Sequence, residues 1–131
     1  MANRFLDWMK QAEADFRHAE KSLSGGDFEW CCFASQQAAE KAVKALFLLK
    51  SIDAWGHTLS ALLGSLPVPL RPENDLLDCA KVLDKHYLPT RYPNGFDSGA
   101  PTDFYTRQEG EQAIECARKI ITYCRSQIQR S

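Results

Sequence analysis

Apolar side chains recur along the first segment at steps of four and three residues: Phe5, Met9, Ala12, Phe16, Ala19 and Leu23, with Lys10, Glu13, Asp15, Arg17 and Glu20 falling between them. This spacing predicts an amphipathic helix from about residue 4 to about residue 24. Asn3 is the expected N-cap, and Ser24-Gly25-Gly26 supplies left-handed backbone for a stop and reversal. Asp27 is then expected to cap a second helix through its side chain and to start a run that continues to about Lys50. In that run Cys31, Ala34, Ala38, Ala42, Ala45 and Leu49 form a narrow stripe of mostly small residues, while Gln37, Glu40, Lys41 and Lys44 share the opposite sector with Trp30, Phe33 and Leu48. Apolar residues on nearly every side place this helix at the centre of a bundle or under a second subunit.

The remaining pattern is also helical. "HTLSALLGSLP" predicts a short helix over about 58–65, stopped by Pro67 and Pro69. Leu76, Leu77, Ala80, Leu83 and Tyr87 describe a fourth helix with Pro72 in its first turn, ended by Pro89. Residues 88–106 form a long connection, and Ala113, Ala117, Ile120, Cys124 and Ile128 mark a last helix over about 107–129. Nothing alternates with period two. The expected fold is all-α, an antiparallel up-and-down four-helix bundle with an additional short helix, in one domain over residues 1–131.

Composition narrows the function classes. Sixteen basic and seventeen acidic residues give a formal net charge of -1, which argues against a protein that coats DNA. The five cysteines form no CxxC pair and no zinc spacing, so buried thiols in a reducing cytosol are expected, with no metal and no cofactor. There is no signal-peptide pattern and no apolar run of about 18 residues, which points to a soluble, cytoplasmic protein without membrane contact. Phosphate-cradling glycine motifs are absent.

Candidate chemistry gathers at "LPTRYPNGF", residues 88–96, where two prolines and Asn94-Gly95 interrupt the helical pattern. Arg91 carries a planar donor fork suited to phosphate or carboxylate, and Tyr92, Phe96 and Tyr105 offer faces for a base or ring. The same residues serve equally well to bind loop carbonyls and tuck the loop onto the bundle. Among the histidines, His18 reads as solvated surface, and His57 as a residue that caps or orients a turn. His86 closes the fourth helix beside the loop, where the helix dipole favours its charged form.

Three stretches taken in order, "FASQQAAEKAVKAL", "GHTLSALL" and "LDKHYLPTRYPNGF", closely resemble the small stand-alone bacterial and archaeal HEPN-domain proteins, and the likeness runs over about residues 6–128. The resemblance implies a homodimeric helical bundle, often paired with a minimal nucleotidyltransferase as toxin and antitoxin, and a capacity to bind nucleotide. Carried onto this chain, it makes Arg91, Tyr92, Asn94, His86 and Tyr87 candidates for holding a nucleotide or an RNA phosphate. Lys41 and Lys44 would add charge if the loop folds back on the second helix. A subset of the family cleaves RNA without metal, using an Arg followed after four to six residues by a His. That motif is absent here, because Phe96, Asp97 and Ser98 occupy the positions after Arg91, and Lys81 before His86 lacks the guanidinium fork. The leading expectation is therefore a binding partner. The alternatives are a divergent ribonuclease with His86 as its acid–base group, and a purely structural interaction module.

Overall fold

The structure, a computed structural model, describes residues 3–130, so residues 1, 2 and 131 of the expected domain lie outside it. Its helices are α1 (Phe5–Gly25), α2 (Phe28–Leu49), α3 (Leu59–Gly64), α4 (Asn74–Asp84), α5 (Pro101–Phe104) and α6 (Arg107–Gln129), with single 3-10 turns at Val68–Leu70 and Pro93–Gly95. No strand occurs among the described residues. The all-α bundle expected from the periodicity is present.

Helix α2 is the axis of the bundle. It packs against α1 and α6 and also touches α3, α4 and α5. Its alanines Ala38, Ala39, Ala42 and Ala45 are fully buried, and their small side chains let the neighbouring helices approach closely. Ala12 and Ala19 of α1 and Ala113, Ala117, Ile120 and Cys124 of α6 are likewise fully buried. Gly110 marks a close approach of α6 to α1 and α2: a Cβ there would stand 2.9 Å from Leu23 Cδ1 and 3.3 Å from Cys31 Sγ.

Helix ends show where local chemistry matched the pattern and where it did not. Gly26 turns the chain at φ 82°; its N–H donates to Leu23 O, and Asp27 N–H donates to Ser22 O at 2.9 Å. Asn3 does act at the start of α1, accepting from Phe5 N–H at 3.0 Å while its own amide donates to Leu48 O at 2.8 Å. Asp27 precedes α2 without making the expected side-chain cap. Helix α4 starts two residues after Pro72 and ends at Asp84, so His86 and Tyr87 belong to a run of turns that follows it. Asp84 is drawn instead to the start of α3, where it accepts from Leu59 N–H at 2.6 Å, Ser60 N–H at 3.1 Å and Ser60 Oγ–H at 2.6 Å. That carboxylate supplies the capping bonds that the side chain of Thr58, the residue before α3, does not make.

Candidate functional site

Gln36, Glu40 and Lys44 follow one another at four-residue steps along α2, so their side chains share one face. Gln36 is fully buried, and its amide donates to Glu40 Oε1 at 3.0 Å. Glu40 Oε2 meets Lys44 Nζ and His57 Nδ1, each at 2.9 Å. Burial alone would raise the Glu40 carboxyl, but the hydrogen bonds with His57, Lys44 and Gln36, together with the Lys44 charge, hold it below the usual carboxylate range. An ionised carboxylate only accepts. His57 therefore carries its proton on Nδ1, and in the neutral ring Nε2 is left as an acceptor. The His57 side chain is 54% exposed, and its ring stacks on Tyr87 with centroids 4.9 Å apart and planes 16° apart.

The loop reaches the same face of α2. The Arg91 guanidinium lies 4.3 Å from the Phe33 ring centroid, 4.9 Å from that of Tyr87 and 5.2 Å from that of Tyr92. Its Nε and Nη2 both donate to Tyr87 O, at 3.0 and 2.7 Å. Arg91 thus turns onto its own bundle, and its Nη1 edge makes no hydrogen bond or ion pair among the described residues. Trp30 sets its edge against Phe33, with centroids 6.1 Å apart, and Trp30 and Tyr92 are each 49% exposed. Asn94 is exposed on the Pro93–Gly95 turn and lines an 840 Å³ groove with Tyr92, Phe96 and Leu88. A second groove, of 320 Å³, is lined by His57, Thr58, Asp84, Tyr87, Leu88 and Pro89.

The other residues singled out in the sequence go elsewhere. His86 is buried, with Nδ1 3.2 Å from the Tyr105 hydroxyl; burial, helped by the Lys85 charge and opposed by Glu109, lowers its pKa. Tyr105 is in turn pushed up to about 12, chiefly by burial. His86 therefore faces the approach to α6 while Arg91 faces α2. Lys41 pairs with Asp15 of α1 at 2.6 Å and lines a groove on that helix with Arg4, Trp8 and Arg17, so of the two lysines only Lys44 joins the loop cluster. Lys81 is exposed on α4. Sequence reasoning passed over Gln36, Asp84 and the link between Glu40 and His57. The usable signal was a glutamine and a glutamate four residues apart inside an alanine-rich run.

No group of three or more His, Cys, Asp or Glu suited to a metal ion occurs among the described residues, and no described helix is long and apolar enough to cross a membrane.

A crystal structure of a Thermus thermophilus protein superposes with a TM-score of 0.93 at 46% identity, covering 96% of this chain and 99% of that one. An archaeal HEPN homologue gives 0.83 at 43% identity, over 97% and 99% of the two chains. An HEPN domain protein from Thermotoga maritima gives 0.79 at 38%, over 95% and 99%. In sequence, the chain is 25% identical over 123 residues to a Methanocaldococcus jannaschii protein described as "Putative toxin", an alignment that spans 87% of this chain and 81% of that one. The HEPN domain model matches residues 5–127, and the chain belongs to the HEPN domain family.

Proposed function

We propose that this protein is the HEPN member of a toxin–antitoxin-like pair, a cytoplasmic homodimer that binds nucleotide and partners a minimal nucleotidyltransferase. The relative described as a toxin supports the biological setting. The observation that carries the binding role is the state of Arg91: its stack on Phe33, Tyr87 and Tyr92 immobilises the guanidinium, yet one donor edge stays available beside exposed Trp30 and Tyr92. A preorganised cation flanked by aromatic faces suits a phosphate joined to a base, because little side-chain freedom is lost when the ligand arrives. Exposed Trp30, Leu48, Leu88 and Tyr92 supply apolar area for a second copy or a partner. Burial of His86 against Tyr105, away from Arg91, favours binding over RNA cleavage by that histidine.

The test is calorimetric titration with ATP, GTP and a short RNA, using the wild type, Arg91→Lys and Arg91→Ala. Binding is expected in the wild type, weakened at least about tenfold in both variants, since lysine keeps the charge and loses the planar fork. Equal affinity across the three proteins would remove Arg91 from the site.

A further inference from the structure

The proposed reading accounts for Arg91 and leaves the buried Glu40 cluster on this face without a task. Glu40 is 8% exposed and receives Gln36, Lys44 and His57 together. A solvent-facing histidine could rest on Tyr87 by stacking alone. Here a buried carboxylate also fixes its tautomer, so that Nε2 of the neutral ring is an acceptor and not a donor. Asp84 in the same groove is acceptor-only too, and Thr58 and the apolar walls Tyr87, Leu88 and Pro89 complete the lining. Both Asp84 oxygens already take bonds from α3, but a carboxylate offers about four lone-pair sites and three are occupied.

With His57 neutral the groove presents two acceptors, which does not suit a phosphate. It suits a group with hydroxyl donors. His57 and Arg91 both lie against Tyr87, each 4.9 Å from its ring centroid, so Tyr87 is the residue the groove and the Arg91 stack share.

We infer that the His57–Asp84 groove is a ribose subsite, in which His57 Nε2 and Asp84 accept from the sugar hydroxyls, so that the protein selects ribonucleotides over nucleotides lacking those hydroxyls. Glu40 is a positioning residue that holds His57 in the accepting tautomer. The inference rests on the nucleotide reading and adds the class of sugar.

Titrating ATP and 2′,3′-dideoxyATP into the same protein tests it. The wild type should bind ATP about three- to tenfold more tightly, the range expected for one or two hydrogen bonds to a hydroxyl. His57→Phe keeps a ring to stack on Tyr87 and removes both nitrogens. In that variant ATP affinity should fall towards that of the dideoxy compound while affinity for the dideoxy compound holds, a pattern that general loosening of the fold would not produce. Equal affinity for the two nucleotides in the wild type would overturn the ribose subsite and leave nucleotide binding standing, without recourse to any variant. Selectivity in His57→Phe equal to that of the wild type would also overturn it. Absence of binding for either compound would remove the nucleotide reading and the subsite with it.

Discussion

Replacing Glu40 with Ala probes the cluster that ties α2 to the chain before α3. The largest cost falls on Gln36, which is fully buried and would lose the acceptor for its amide. An orphaned buried donor costs about 1–3 kcal/mol. Lys44 has 17% of its side chain exposed and His57 has 54%, so both can turn to water, and each lost pair adds about 0.5–1 kcal/mol. The expected loss is about 3 kcal/mol, read as a fall of about 1–2 M in the urea midpoint at fixed protein concentration. Its pH dependence has a definite sign. Burial pushes the Glu40 carboxyl up, and the bonds with His57, Lys44 and Gln36 pull it further down, so its folded value lies below the ordinary 4.5. Its ionised form therefore contributes stability above about pH 4.5, and the contribution disappears as pH falls through the lower folded value. The gap between wild type and Glu40→Ala should hold at neutral pH and narrow in acid. A loss under about 0.5 kcal/mol at pH 7 would refute the reasoning, showing that water replaces every bond Glu40 receives.

Three further outcomes follow from single contacts. Asp84→Ala removes the acceptor for Leu59 N–H, Ser60 N–H and Ser60 Oγ–H, and should cost about 1–2 kcal/mol, with faster hydrogen exchange at the Leu59 and Ser60 amides as the specific mark. Gly110→Val places atoms where even a Cβ would stand 2.9 Å from Leu23 and 3.3 Å from Cys31; thermal unfolding should show a loss of about 2 kcal/mol or more. Burial lowers the His86 pKa from 6.5, so the unfolded chain takes up a proton that the folded chain refuses. Wild-type stability should fall as pH drops from 6.5 through the folded value, and urea melts of His86→Gln across that window should lack this slope.

The long elements were legible because their stripes are continuous. Phe5 through Leu23 and Ala113 through Ile128 put α1 and α6 within a residue or two of their observed bounds. The end of α4 was not legible, because a proline signals only where a helix must already have stopped. It ends at Asp84, whose carboxylate bonds to α3, a partner 24 residues away in sequence. The site was half legible for the same reason. Arg91 and Tyr92 stood out by composition and Tyr87 through the family resemblance, and the three do meet one another beside Phe33 of α2. Lys41 and Lys44 looked equivalent, yet one meets Asp15 of α1 and the other meets Glu40 beside His57. Helical projection gives a direction for each lysine and says nothing about which acid waits there. His57 and His86 exchanged interest likewise: the first is the accessible imidazole held by a buried carboxylate, and the second is the histidine packed against Tyr105.

The claim that the α2–loop face is where ligand binds is tested most directly by mapping ATP-induced amide and side-chain shifts in the NMR spectrum of the isotopically labelled protein. Shifts should concentrate on the Trp30 indole, the His57 imidazole, Tyr87, Arg91 and Tyr92, and spare the α1 groove around Trp8 and Arg17. Shifts confined to the α1 groove, with the Arg91 and His57 signals unmoved, would contradict it.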